Sequence, residues 1–317
     1  MLFRNNRWMR RAIEGLIFLW IISLISFAVV KIAPGDIAMS LLKIDTVAVT
    51  TDEIETLRHE MGLNAPLYRQ YFTYMGNLFR LDLGESLMTG RSVVSELSKS
   101  FPATLALAGS ALLLTTLFTF TFGILSACYA NSWIDRSCTA FCLVGASLPT
   151  FWLGLVLLDI FAVRLKILPS MGLNSWKGLI LPAISLAISI APPYIKIFRN
   201  SLIETNHQEF IRAARSRGLK AKVIFFRHVF RGSLIPVVTI LGVSLGSLLG
   251  GTVIVEIIFG IPGVGKLAVE AITRRDYAII QGFILFVGLV IFAVNLLVDL
   301  SYRYLDPAIS LKEAERK

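Results

Sequence analysis

The chain has 317 residues, of which 55% are hydrophobic and only 16% charged, with a mean hydropathy of +0.71. These values lie outside the range of soluble domains. The net charge of +10 raises nucleic acid as a partner, but the positions of the basic residues along the chain follow a membrane topology instead.

A spanning helix needs roughly 17–25 apolar residues. Uncharged runs occur at Gly15–Val30, Thr104–Ala130, Ser137–Leu158, Gly178–Ile195, Gly232–Val255 and Tyr277–Val298. The first is short, but it extends through Ala12, Ile13, Ile32 and Ala33 once Glu14 is placed at the interface. Six transmembrane helices in an all-α polytopic protein are expected. Arg4, Arg7, Arg10 and Arg11 before the first run resemble a secretory leader. The run is too long for one, however, and Ala33-Pro34-Gly35 is a poor cleavage site, so a retained first helix is expected over residues 1–33.

Residues 34–102 form an extracytoplasmic insert, too polar to span and too small for an independent core. A helix from Thr51 or Asp52 to about Met61, stopped at Gly62, and a second from Leu67 to Arg80 after Pro66 are predicted, followed by a segment broken at Gly84 and Gly90. Tyr68, Tyr71, Phe72, Tyr74 and Phe79 give the second helix an aromatic face suited to the headgroup level or to a small cap on the helix ends. Residues 103–317 are expected to form the remaining five-helix core, with a cytoplasmic loop at 199–233.

With the N-terminus inside, the inner segments carry four Lys/Arg in residues 1–11, Arg136 in the next loop, eight in 199–233 and four in 303–317. Short inner loops enriched in basic residues follow the positive-inside pattern, and both termini are expected in the cytoplasm. Cys128, Cys138 and Cys142 lie in or beside the membrane. The last two share a helix face but have no His or third sulfur nearby, which favours packing over a metal site.

The stretch from Glu209 to Pro236 is the most elaborate inner loop. Thr205-Asn206-His207-Gln208 has the capping-box form, so a helix is predicted to begin there. Phe210, Ile211, Ala214 and Gly218 recur at helical spacing as one apolar face, with Arg212, Arg215 and Arg217 on the remainder and Gly218 as a left-handed end. A second basic-aromatic helix is predicted from Lys220 to about Phe230. The small residues Ala213, Ala214 and Ser216 allow a helix to seat deeply in a partner's groove, and the arginines supply charge at its rim. Taken alone, this composition fits equally well a helix lying on anionic lipid.

Ala213-Ala214-x3-Gly218 resembles the coupling loop of binding-protein-dependent ABC importers, in which this signature marks the helix that docks on the ATPase subunit. Arg212 stands where the general motif has Glu, and Pro236 lies farther from the Gly than usual. Both departures resemble the dipeptide/oligopeptide/nickel branch, whose first permease subunit is similar to this chain from end to end. Further matching stretches are Gly62-Leu63 with Pro66-Leu67-Tyr68, Phe101-Pro102-Ala103-Thr104-Leu105, Leu148-Pro149-Thr150-Phe151-Trp152 and Leu305-Asp306-Pro307.

The resemblance implies a non-enzymatic permease subunit in a bacterial inner membrane. Its implied partners are a second homologous permease, two cytoplasmic ATPase subunits that bring ATP and magnesium, an extracytoplasmic substrate-binding protein and membrane lipid. No cofactor and no nucleic acid are expected for this chain. The implied docking residues are Glu209, Phe210, Arg212, Ala213, Ala214, Arg215 and Gly218. The implied mechanism is alternating access. Within the branch, Leu168-Pro169-Ser170-Met171-Gly172, Trp176, Ile180-Leu181-Pro182-Ala183 and Arg275-Asp276-Tyr277 are more similar to permeases for nickel or a metal–metallophore chelate, with di- or oligopeptides as the alternative. A secondary transporter, which needs no ATPase, is disfavoured by the docking signature.

Gly260-Ile261-Pro262-Gly263-Val264-Gly265-Lys266-Leu267 fits a phosphate-binding loop as far as the Lys, but Leu267 stands where magnesium needs a hydroxyl. The loop also falls on the outer side. In the resembling family the longer stretch that holds it, here Gly250, Gly251, Glu256, Phe259, Pro262, Gly263 and Gly265, ends the fifth helix and forms an outer gate. With Gly246 of the same helix, this gives Gly246, Gly250, Glu256, Phe259 and Pro262 as pathway or gate candidates. Ionisable residues near spans are candidates by default: Glu14, Asp159, Glu256 and Asp299. Glu256 is the best placed, on a helix whose Gly242, Gly246 and Gly250 allow close approach, with Ser244, Ser247 and Thr252 as hydroxyl neighbours. Asp159 is expected to pair with Arg164. Pro192-Pro193 is expected to interrupt or kink the fourth helix. His59, His207 and His228 are scattered, so no metal cage is expected.

Overall fold

A backbone buried in lipid must satisfy its own hydrogen bonds, which favours helices. The computed structural model describes residues 3–32, 55 and 64–305, and these are nearly all helical or in short connections. The first predicted insert helix lies outside the described residues, apart from Glu55. In chain order the helices are α1 (Phe3–Ile32), α2 (Leu67–Phe79), α3 (Val93–Cys128), α4 (Trp133–Ser147), α5 (Thr150–Leu157), α6 (Ile180–Asn206), α7 (Glu209–Ser216), α8 (Arg231–Ile258), α9 (Val264–Thr273) and α10 (Tyr277–Leu305). Among the described residues the sole β pairing is an isolated bridge between Glu85 and Ser92.

Residues Ile13–Ile32, Val93–Cys128, Trp176–Asn206 and Tyr277–Val298 are long and apolar enough to span a membrane. The run Ser137–Leu158, expected as one rod, is divided between α4 and the helix beginning at Thr150, and the two meet at 103°. Pro149 is the cause. It lacks an N–H and disfavours helix at the preceding residue, and Leu148 is extended at φ −88°, ψ 128°. Counting the bent pair as one span gives five. The remaining expected run, Gly232–Val255, lies in α8, whose side chains are described only in part.

The chain divides into two compact units, Met1–Pro102 with Gly263–Phe292 and Ala103–Pro262 with Ala293–Lys317. In the first, Val93, Leu97, Val264, Ala271 and Ile279 form the core. Asp276, one of the residues read as leaning toward nickel, has a structural task there. Its Oδ1 accepts the Ile279 N–H (3.2 Å) at the start of α10, and its Oδ2 accepts the Ser86 hydroxyl (2.6 Å). α2 ends within a residue of its expected limit, with Arg80 as its C-cap.

The second unit has two clusters. One joins Leu107 and Ala111 of α3, Leu181 and Leu186 of α6, Leu248 and Val255 of α8, and Phe259 and Ile261 beyond it. The other gathers Phe198 and Leu202 of α6, Ile211 and Ala214 of α7, Ile224 and Val229 of the following segment, and Val237 of α8. Two corrections follow. α6 runs unbroken through Pro192 and Pro193 as far as Asn206. Thr205 therefore lies inside α6, buried against Ser233 at 3.1 Å, and does not cap α7.

α4 and α6 approach closely because Gly145 has no side chain. A Cβ there would stand 2.7 Å from the Ile188 carbonyl oxygen, whereas a Cβ at Gly109 of α3 meets nothing within 4 Å. Gly145→Val is expected to force the helices apart at a cost of about 1–3 kcal/mol, typical of overpacking. Gly109→Ala is expected to leave stability unchanged or slightly raised. Melting of the detergent-solubilised protein, followed by size-exclusion chromatography after heating, checks both. Equal midpoints for the two variants would contradict the close packing described.

Candidate functional site

α7 is short, and its position is set by what it buries. Gln208 is its N-cap, with an extended backbone (φ −69°, ψ 152°) and no side-chain bond to the helix. Glu209 places a carboxylate in the first turn and Arg215 a cation in the last, both favourable to the helix dipole. Gly218, at φ +74°, turns the chain into the left-handed region just beyond the helix, and its N–H donates to the Arg215 carbonyl (2.9 Å).

Ile211 is 0% exposed and Ala214 8%, both packed against α6 and the segment after Lys220. Glu209, Arg212, Ala213, Arg215 and Gly218 are exposed, and Phe210 is 48% exposed. The expected single apolar face is thus divided. Ile211 and Ala214 hold the helix down, while Phe210 projects outward beside the cations.

The surface that results is strongly basic. Arg212, Arg215, Arg217, Lys220 and Lys222 are all exposed, with Glu209 the acidic residue within α7. Arg215 donates from Nη2 to Asn206 Oδ1 (2.6 Å). Together they line the polar edge of a cleft of about 350 Å³ whose other walls include Leu219, Ile224, Phe225 and Val229. Beyond it the chain runs through the turn Ala221–Val223 and a π-helical Ile224–Phe230 straight into α8. α7 therefore follows α6 after two residues and joins α8 through residues 217–230, of which 221–230 are helical.

Sequence reasoning missed the device that ties neighbouring helix ends together. Arg199, near the end of α6, donates from Nη2 to Asp135 Oδ2 (2.7 Å) and from Nε to Oδ1 (2.9 Å), a bidentate pair across to the first turn of α4. Arg199 Nε also lies 3.0 Å from Ser126 Oγ of α3, and the Ser126 hydroxyl donates to Asp135. The Asn131 N–H completes the set at 2.9 Å. Asp135 is 6% exposed, so both of its oxygens are satisfied away from bulk water. In the sequence Asp135 reads as an ordinary first-turn acid after the N-cap Ser132, and Arg199 reads as a positive-inside residue.

The residues named for the pathway and gate lie in different surroundings. Glu256 is fully buried, and Thr104 of α3 donates to its Oε1 at 2.7 Å. Thr252 is buried on the same helix. Phe259 belongs to the apolar core, facing Gly154, and its carbonyl accepts the Gly172 N–H (2.8 Å). Pro262 is exposed. Gly246 and Gly250 lie on the α8 backbone, with side-chain surroundings outside the described residues, as are those of Gly242, Ser244, Ser247 and Asp299. Asp159 pairs with Arg164 at 2.8 Å on an exposed surface, as expected. Lys266 of the phosphate-loop-like stretch lies on α9, 3.8 Å from Glu270 one turn on.

Comparison with known proteins places this geometry. The family model described as binding-protein-dependent transport system inner membrane component matches residues 119–311, and that for the N-terminal part of such components matches residues 6–108. The glutathione transport system permease protein GsiC of Escherichia coli (strain K12) is 35% identical over 294 residues, covering 93% of this chain and 95% of that protein. Its counterpart in Pectobacterium atrosepticum is 34% identical over 307 residues, covering 97% and 99%. The fold is similar to a chain of the MetNI methionine ABC transporter in an inward facing conformation (TM-score 0.55, 17% identity, 67% of this chain and 97% of that one). It is also similar to an amino acid ABC transporter crystallised with histidines (TM-score 0.53, 16% identity, 67% and 94%).

Breaking a fully buried ion pair on one side costs about 3–5 kcal/mol, and replacing both partners by apolar groups is often close to neutral. With the Arg199 side chain 24% exposed, the cost here is expected below that range. Asp135→Ala is therefore expected to lower the thermal midpoint markedly, and Asp135→Ala with Arg199→Leu is expected to regain most of the loss. A double variant no more stable than Asp135→Ala would show that the pair is not the source of the effect.

Proposed function

The chain belongs to the family of binding-protein-dependent transport system inner membrane components, and from that premise we propose that it lines half of the route by which a small peptide is imported. It is the permease subunit of an ABC importer, embedded in the membrane and not itself catalytic. In our reading it resides in the bacterial inner membrane with both termini cytoplasmic and six spanning helices. It pairs there with a second, homologous permease. ATP and magnesium act on two partner ATPases, and a binding protein delivers substrate from outside.

The observation that carries the coupling role is the division of α7 into a buried side, Ile211 and Ala214, and an exposed basic side. A helix anchored by its small and aliphatic residues presents the rest to a cytosolic partner. Its two-residue link to α6 and its largely helical connection to α8 give any displacement of α7 a route into two long helices. Glu209, Phe210, Arg212, Ala213 and Arg215 are assigned to the contact, Ala214 to seating, and Gly218 to the turn that ends the helix. Gly246, Gly250, Glu256, Phe259 and Pro262 remain our assignment for the pathway and outer gate. Closure of the ATPases is taken to move α7 and switch the bundle between outward and inward access.

For the substrate, near-full-length similarity to proteins named as glutathione permeases supports the peptide-type alternative over nickel or a nickel–metallophore chelate. The short stretches that leaned toward nickel have other work: Asp276 starts α10, and Met171 packs on Gly260.

Two outcomes are expected. Cells carrying the complete importer should take up labelled glutathione or a dipeptide in a manner that depends on this chain. Excess unlabelled peptide should compete, and radioactive nickel should not accumulate. Chain-dependent nickel uptake that resists peptide would reverse the substrate assignment. Separately, Arg212→Glu with Arg215→Glu should lower uptake on the order of tenfold or more, equivalent to ~1.4 kcal/mol of lost coupling, with the protein still present in the membrane. Unchanged uptake would remove α7 as the docking helix.

A further inference from the structure

α2 stands outside the transport reading, and its three faces are unlike one another. At 100° per residue, Gln70, Tyr71, Tyr74 and Leu78 share one side, and these are partly buried. Tyr68, Phe72 and Phe79 form a second stripe, exposed at 59%, 70% and 82%. Arg69, Thr73 and Asn77 form a third, exposed and polar.

The first side packs on α1. Tyr71 stacks edge-on against Phe27 with ring centroids 5.4 Å apart, and its hydroxyl lies 2.9 Å from Ser23 Oγ. Tyr74 lies 5.9 Å from the same ring and 3.4 Å from Ser26 Oγ. Lys31 donates to Gln70 Oε1, which ties the start of α2 to the end of α1.

The depth of these contacts is informative. Ser23 and Phe27 precede Ile32, the end of the apolar span Ile13–Ile32, by nine and five residues. At 1.5 Å per residue they sit ~13 Å and ~8 Å inside that end. A 20-residue span is about the thickness of the hydrocarbon core. α2 therefore lies beside α1 at membrane depth and not above it. On α1 itself Leu24 and Ile25, at this level, are also exposed.

We propose that α2 is an interfacial helix embedded in one leaflet, with Tyr68, Phe72 and Phe79 among the lipid acyl chains and Arg69, Thr73 and Asn77 toward the headgroups and water. The arrangement follows the general pattern for helices lying in the membrane plane: a large apolar face, a polar face with cations, and aromatic rings at the boundary. It anchors the extracytoplasmic insert to the bilayer beside the first helix. This inference requires that the chain reside in a membrane, but not that its substrate be a peptide or that α7 be the docking helix.

The test uses the assembled transporter in lipid nanodiscs. Cys128, Cys138 and Cys142 are replaced by serine, and single spin labels are placed by Tyr68→Cys, Phe72→Cys, Thr73→Cys, Asn77→Cys and Phe79→Cys. Labels at 68, 72 and 79 are expected to be relaxed by oxygen, which partitions into acyl chains, and shielded from water-soluble chromium oxalate. Labels at 73 and 77 should show the reverse. Chromium oxalate reaching 68 and 72 as readily as 73 would place the aromatic stripe in water. Shielding of 68 and 72 from both reagents would place a protein partner there. Either result overturns the proposal. If a labelled chain fails to assemble, quenching by brominated acyl chains of an added Phe72→Trp, compared with Thr73→Trp, gives the same reading, and equal quenching counts against it. Uptake of substrate by the cysteine-free parent separates failure of this inference from failure of the transport assignment.

Discussion

The contact of Arg199 with Asp135 is the constraint on which the region around α7 rests. The end of α3, the start of α4 and the last third of α6 meet at this point. Ser126 belongs to α3, Asp135 to α4 and Arg199 to α6, and the guanidinium meets the carboxylate through two parallel bonds. A planar fork fixes both distance and orientation in a way that a lysine cannot. The Asn131 N–H and the Ser126 hydroxyl occupy the remaining acceptor capacity of the carboxylate, so the buried charge is satisfied from several directions. α6 then continues past this clamp to Thr205, where Ser233 fastens it to α8. α7 lies between α6 and α8, which this contact joins.

The rest of the fold follows from the demand that a lipid-embedded backbone satisfy itself. The sharpest break among the described helices can be traced to one residue that prevents the next bond. Pro149 divides what reads as one apolar run into two helices at 103°. Pro192 and Pro193 cause no such break. Here the helix closes over both, and Pro192 packs against the site of Gly145. The difference lies in surroundings. Gly145 leaves room for α4 to lie against the Pro192 turn and support it. The residue before Pro149, in contrast, is already extended.

Much of this was legible in the amino-acid sequence. Hydropathy located the long helices because burial in lipid demands long apolar runs, and the α7 region was visible because its small and basic residues stand out between two such runs. α2 was visible for a related reason: Pro66 and the aromatic spacing marked its start and its faces. Tertiary pairing was not legible. Asp135 and Arg199 are 64 positions apart, and each has an ordinary local explanation. The capping-box pattern at Thr205 misled because a local rule competes with continuation of a long helix already packed on its neighbours. Glu256 was found as a buried charge, but its partner Thr104 lies 152 residues away and no local pattern points to it.

The adjacent alanines of α7 show how one motif meets two constraints. Ala213 and Ala214 are one position apart and therefore ~100° apart around the helix. That turn takes Ala214 inside, where with Ile211 it lets α7 lie close to Phe198, Leu202 and Val229. It leaves Ala213 outside among the arginines. A single small residue would serve only one of these surfaces. Two in succession keep the helix thin on both sides, on the buried side packed against α6 and on the exposed side among the arginines. Gly218 then ends the helix before the chain enters Leu219, whose side chain lines the cleft beside Arg215. The sequence Ala-Ala-x3-Gly is thus a statement about space on two faces of one short helix.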